Sequence, residues 1–426
     1  MNAPLPVTSP PAAPSSAEAG TRGTLIFIGG ALDESTELIR RVIALAGERR
    51  KTASPRIAIL TTASEPAVSA LASQDPTAES DEADGRYYAE LFERHGAIGV
   101  PIPIGVSELP AFAGSKYTRA QADSGKIAEL IRCADGVFLG GGDQTHYVLA
   151  LFRSVVDGEF PFGVRTDTAA LTAIREVLER GGVIAGTSAG LAVQQGADMV
   201  SGGADIHHAW KHGTTPGYDL TIDGIDALTH IPAGGIGVFP EALLDSHFNE
   251  WGRPARSIRL ANALGRSRAV GVDEHTALVY DRATRVSEVI GTRGVSLLDF
   301  DGCEVNEESD AILGTRWSYL VPGDRHNFAT GVTVHCERVA DLKLPRTGPG
   351  TSAASADIWT DDGSRPLLAL AQQLLHSDAR SGSGETSPAR EPRYRTTLHR
   401  DERTHALATG AFTDLIISIT PIPTNH

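Results

Sequence analysis

The chain has 426 residues, with 38 Lys and Arg against 53 Asp and Glu and 41% hydrophobic residues, for a formal net charge of −15. At roughly 100–200 residues per domain, this length accommodates one large α/β domain with appendages or two to three domains, each able to bury a core. The acidic balance argues against nucleic acid or an anionic membrane as a partner, because both need a Lys/Arg excess facing phosphates.

The first 22 residues hold five prolines in their first fourteen and are otherwise rich in Ala and Ser, so they are expected to form a disordered arm. They carry no basic n-region and no apolar h-region, so they do not read as a secretory signal. From Thr24 onward, short β-branched runs alternate with amphipathic helical stretches: 24–28, then Leu38/Ile39/Val42/Ile43, 57–60, Tyr88/Leu91/Phe92, 99–104, Ile127/Leu130/Ile131 and 137–139. This βαβα order predicts an α/β fold with a parallel sheet covered by helices on both faces. Small or polar residues follow the strands, namely Gly29-Gly30, Thr61–Ser64 and Gly140–Asp143, which is where open α/β sheets bind ligands. Residues 152–168 read as an inserted loop, followed by a helix over 169–180 and a strand over 183–185.

After Val270 the pattern changes to hairpin-like strands over 276–280, 286–290 and 295–300, with clean alternation over 332–336. Two Gly/Ser/Pro-rich stretches, 346–355 and 377–393, read as linkers. One helical pattern (367–375) and one strand (415–419) complete the chain. The expected organisation is an arm over 1–22, a catalytic domain over 23–300 and a C-terminal extension over 301–426. Cys133, Cys303 and Cys336 are odd in number and far apart, which fits neither a disulfide framework nor a zinc site, so a reducing cytoplasm is expected.

Gly186-Thr187-Ser188-Ala189-Gly190 matches the nucleophile-elbow pattern G-x-S-x-G, with a strand before it and a helix-compatible run after it. The competing reading is a structural glycine-rich turn with an incidental serine. A nucleophilic serine needs a base and a group that orients the base. His247, at an expected strand end, and Glu274, at a turn entering a strand, supply both types; each alone is more often an ordinary loop residue. A second bare N–H near the elbow is expected from the loop Gly140–Gly142. Arg253 and Arg256, three apart, share one helix face and suit carboxylate recognition. His207, His208 and His212 have partial metal-like spacing but no accompanying glutamate, so no metal and no other cofactor is assigned.

Four segments in order, FLGGGDQ (138–144), AGTSAG (185–190), LDSHF (244–248) with GRPAR (252–256), and GVDEHTAL (271–278), resemble the cyanophycinase branch of the serine peptidases that include peptidase E. The resemblance spans about 23–300. It implies a three-layer class I glutamine amidotransferase-like sandwich, with serine replacing cysteine at the elbow, followed here by a β-rich extension. It also implies a Ser188–His247–Glu274 triad, with Ala189, Gly141 and Gly142 around the oxyanion. Gln144, Asp245, Ser246, Arg253 and Arg256 are the implied substrate contacts. The implied substrate is cyanophycin, a poly-aspartate backbone with arginine on each β-carboxyl, cleaved to β-Asp-Arg dipeptides by a homodimer. Two positions depart from the pattern: Ser246 stands where glutamine is usual, and Trp251 where the first arginine is expected. A peptidase E-like aspartyl dipeptidase, and a catalytically silent binding protein of the same fold, are the rival readings.

Overall fold

The computed structural model describes residues 22–32, 35–75, 77–217, 227–306, 309–336 and 351–423. Nearly all of the expected N-terminal arm, and the start of the first expected linker, lie outside them.

Two large mixed sheets organise the molecule. The 9-stranded sheet has a parallel half, in which Thr24–Ile28, Val183–Thr187, Gly136–Leu139, Arg56–Leu60 and Ile98–Pro101 lie side by side. Beyond Thr24–Ile28 the sheet turns antiparallel through Thr276–Asp281, Val286–Gly291, Arg325–Asn327 and Val332–Val334. The expected parallel sheet is therefore half of a mixed one. Alternation along Thr24–Ile28 explains its two covered faces: Leu25 and Phe27 enter a core with helices Gly125–Arg132, Gln144–Leu151 and Ala169–Glu179, whereas Ile26 and Ile28 pack on Thr36–Glu48 and Asp81–Arg94. Several of these helices start on side-chain caps, Ser35 to Leu38 N–H, Asp143 to Thr145 N–H and Thr168 to Leu171 N–H, so their N-termini are fixed beside the strand ends.

The 10-stranded sheet runs Leu243–Asp245, Arg268–Val272, Val295–Asp299, Ala311–Leu320, Phe412–Pro421, Tyr394–His399, Ser381–Glu385 and Thr351–Ser352, with two short strands pairing alongside. Val270, Val272, Val295 and Leu320 face the core of the first sheet. Ala269, Leu298, Trp317 and Tyr319 face a second core with helices Arg253–Ala263 and Pro366–Leu375. The expected run of hairpins after Val270 is corrected here: Val286–Gly291 and Val295–Asp299 belong to different sheets, and Gly291, at φ +110°, begins the turn that crosses between them. The expected inserted loop is a two-stranded hairpin, Phe152–Ser154 with Arg165–Asp167. Its Arg165 donates to the carbonyls of Ala233, Gly234 and Gly235, which ties it down beside the elbow helix. The stretch expected to be the second linker contains the strand Ser381–Glu385. No helix among the described residues is long and apolar enough to cross a membrane.

Candidate active site

Strand Val183–Thr187 delivers Ser188 into a backbone conformation of φ +53°, ψ −114°, directly before the short helix Ala189–Ala192. Non-glycine residues rarely adopt this conformation, and the cost of holding it is met by the strand and helix on either side. The flanking glycines are required by contact. A Cβ at Gly186 would lie 2.0 Å from the Gly190 carbonyl oxygen, and one at Gly190 would lie 2.1 Å from that of Leu139. Ser188 N–H donates to the Ile28 carbonyl, which moors the turn to the central strand.

His247 follows strand Leu243–Asp245, and its N–H donates to the Gly29 carbonyl at 2.8 Å. Its Nε2 lies 2.9 Å from Ser188 Oγ, and its Nδ1 lies 2.9 Å from Glu274 Oε1. Three side chains from separate chain segments thus form one hydrogen-bonded array, with the carboxylate fixing the ring tautomer so that Nε2 accepts from the hydroxyl. Burial, together with the nearby Arg253 cation, holds His247 below its ordinary 6.5 despite Glu274, so the ring is neutral at neutral pH. Burial pushes Glu274 up, but hydrogen bonds from His247 and Arg293 outweigh it and leave the carboxyl below its usual range. A neutral base against an ionised acid is the protonation state that proton abstraction from a serine needs.

The other predicted residues fall into two groups. Gly141 is beside the nucleophile, where an added Cβ would stand 3.5 Å from Ser188 Cβ, and Ala189 opens the elbow helix. At Gly142, where φ is +125°, an added Cβ would stand 2.2 Å from the Ala63 carbonyl oxygen. Gln144 begins its helix and donates to the Val200 carbonyl at 2.9 Å, leaving its amide oxygen for other partners. Asp245 and Arg256 are buried against each other. Arg256 Nε and Nη2 bind both Asp245 oxygens at 3.0 and 2.7 Å, and its Nη1 donates to the Gly203 carbonyl. Burial raises Asp245, but Arg256 and Arg253 bring it below the usual carboxylate range. Among the described residues Arg253 spends only Nη1, on Asp245, the Ser246 carbonyl and Ser246 Oγ. Burial and the Arg256 cation bring its guanidinium down to about 9.

Further residues surround the array. Trp251, 41% exposed, stacks on His247 with centroids 4.2 Å apart and planes 15° from parallel, and Arg253 sits over the same indole. Behind the array, Arg293 Nη1 reaches Glu274 Oε2 at 3.2 Å and buried Glu250 at 2.8 Å, and Glu250 also accepts the Glu274 N–H. Asp273 accepts from Asn249 and from Tyr319. The histidine-rich stretch is a helix, Ile206–His212, in which the His208 and His212 rings lie 4.3 Å apart and tilted by 35°, and His207 bonds the Pro392 carbonyl. Among the described residues no group of three His, Cys, Asp or Glu is placed to hold a metal ion.

No family model matches the chain. A curated relative, the cyanophycinase of Trichormus variabilis, is 30% identical over 284 residues, covering 66% of this chain and 74% of the relative. The chain belongs to the cyanophycinase family. Two further cyanophycinases, from Synechococcus elongatus and Geminocystis herdmanii, are each 27% identical and cover 74% and 72% of this family member, and 82% and 95% of their own lengths. Among solved structures, a peptidase from an acI-B1 Actinobacterium aligns with 66% of this cyanophycinase-family chain and 92% of its own, at a TM-score of 0.43 and 18% identity.

Proposed function

We propose that the chain is a serine-type peptidase that hydrolyses cyanophycin to β-Asp-Arg dipeptides. The observation that carries this reading is the continuous hydrogen-bonded array from Ser188 Oγ through His247 to Glu274, built on a strained elbow in a member of the cyanophycinase family.

In this mechanism Ser188 Oγ attacks a backbone carbonyl of the polymer while His247 Nε2 takes its proton. The imidazolium then gives that proton to the leaving amine, and a water, activated by the same nitrogen, releases the acyl group. Glu274 keeps Nδ1 protonated and stabilises the transient cation. The N–H groups of Ala189 and Gly141 receive the oxyanion, because both adjoin Ser188. Substrate contact falls to Gln144, Ser246 and the unspent nitrogens of Arg253, with the buried Asp245–Arg256 pair acting as the base that orients Arg253. The same reading takes the parallel half-sheet and its two helical layers as the class I glutamine amidotransferase-like sandwich, with residues 301–426 as an added β-rich extension.

The test is incubation of the wild-type protein and Ser188→Ala with cyanophycin, with products read by mass spectrometry. Wild type is expected to release β-Asp-Arg, and the variant to be slower by roughly 10³-fold or more. Equal release by both would remove the serine mechanism; no release by either would remove the substrate.

A further inference from the structure

At the end of strand Arg268–Val272 remote from Glu274 lies a cleft of about 460 Å³, between the second sheet and residues that follow Arg325–Asn327. Arg268 and Val270, which line it, stand six and four residues before Glu274. Its volume is in the range that holds small molecules. In a chain of net charge −15, its walls carry Arg268, Arg316 and Arg403 against Asp299 and Asp414.

Most of these charges are already satisfied. Arg316 turns to Asp401 at 2.7 Å and Arg403 to Asp414 at 3.0 Å. Two remain. Among the described residues the Arg268 side chain makes one hydrogen bond, from Nη1 to the Phe328 carbonyl at 3.3 Å, and the Asp299 side chain accepts only from the Asp301 N–H. Neither has an ion-pair partner within 4 Å among the described residues, although they sit directly opposite each other on paired strands, are only half-buried, and act at longer range on Arg316 and Glu241. His326, pushed down to about 4 by burial and the Arg268 cation, is neutral and adds no charge. Beside this pair the wall is apolar: Leu297 lies two residues along the same strand from Asp299, and Phe328 and Leu407 also line the cleft.

A simple anion in this cleft would leave Asp299 facing like charge, and a simple cation would do the same to Arg268. The complementary ligand carries both charges on an aliphatic stem. We propose that the cleft is a second binding site, for a cationic α-amino acid or a chain end bearing one, with the ligand carboxylate on Arg268 and its side-chain cation on Asp299. A guanidinium or ammonium stem lies along Leu297 and Leu407, and the Arg268 fork takes the carboxylate in two parallel hydrogen bonds. The assignment rests on the cleft alone and does not require Ser188 to be a nucleophile.

Titration calorimetry on full-length Ser188→Ala tests it with L-arginine and, separately, with β-aspartyl-arginine. L-arginine is expected to bind with an affinity that falls at least tenfold in Arg268→Gln and in Asp299→Asn. Agmatine, which lacks the carboxylate, and citrulline, which lacks the cation, are expected to bind at least tenfold more weakly than L-arginine to the parent. Tighter binding of the dipeptide at this cleft marks a chain end as the ligand; tighter binding of L-arginine marks the free amino acid. Absence of L-arginine binding, or binding unchanged in both variants, overturns the proposal. Because Arg268 and Asp299 lie outside the Ser188 array, release of β-Asp-Arg by wild type is scored independently, and either reading can fail without the other.

Discussion

The imidazole of His247 is held from every side, and two consequences can be measured. A Cβ at Gly30, where φ is +137°, would stand 2.3 Å from His247 Cε1, so this position has room for a hydrogen only. Gly30→Ala is expected to push the ring off the Ser188 Oγ line while leaving the buried strand beside it intact. Since a misplacement near 1 Å can cost about 10²-fold, kcat should fall by that order with only a modest change in Tm; a variant retaining full kcat would show that the ring has slack. The second consequence concerns pH. His247 acts as a base only when neutral, and burial with Arg253 nearby lowers its pKa. Activity is therefore expected to rise with pH through an acid limb whose midpoint lies below 6.5, and to be on its plateau by neutral pH. A midpoint above 6.5 in a kcat/KM profile would mean that Glu274 outweighs burial in setting the ring's charge.

At the scale of elements, the turn between Val286–Gly291 and Val295–Asp299 does more than join two sheets, because it places Arg293 between Glu274 and Glu250. Removing this cation as Arg293→Met lets Glu274 act on His247 unopposed, so the acid limb is expected to move to higher pH. Among the described residues it also leaves buried Glu250 with one cation, Arg365, 3.8 Å away, so Tm is expected to fall. Adding Glu250→Gln should restore much of the lost stability without returning the limb, since the two effects act through different carboxylates. If both return together, Arg293 is a structural group only. None of this was legible in the sequence: Glu250 and Arg293 are 43 residues apart and meet only because one strand changes sheets. The elbow was legible because its chemistry is local, a β-branched strand ending in small residues. The strand Ser381–Glu385 was not, because its inward positions are glycines. A Cβ at Gly382 would meet Thr351 at 2.8 Å, and one at Gly384 would meet Ile358 at 2.6 Å, so what packs there is the absence of a side chain and the composition reads as a linker.

Across the whole molecule, the second sheet reaches the candidate site from behind. Its long strand Ala311–Leu320 supplies Tyr319, whose hydroxyl donates to Asp273 at 2.8 Å, one residue from Glu274. Burial, and the proximity of Glu250, raise the Asp273 carboxyl well above its ordinary 3.8. The sign of the linkage follows. In the unfolded chain Asp273 loses its proton near pH 4, whereas in the folded protein it retains it to higher pH, so over that interval the native state binds more protons. Stability then falls as pH rises from about 4 toward neutrality. Asp273→Asn keeps an acceptor for Tyr319 without the titration, so its Tm is expected to fall less than that of wild type between pH 5 and pH 8. Parallel profiles for the two proteins would mean that Asp273 is ionised in the fold, held by Asn249 and Tyr319 as a buried anion. A smaller pH dependence in the variant would instead establish that residues after 300 and the strand leading into Glu274 share one proton-linked core, so that loosening the C-terminal strands loosens the acid that orients His247.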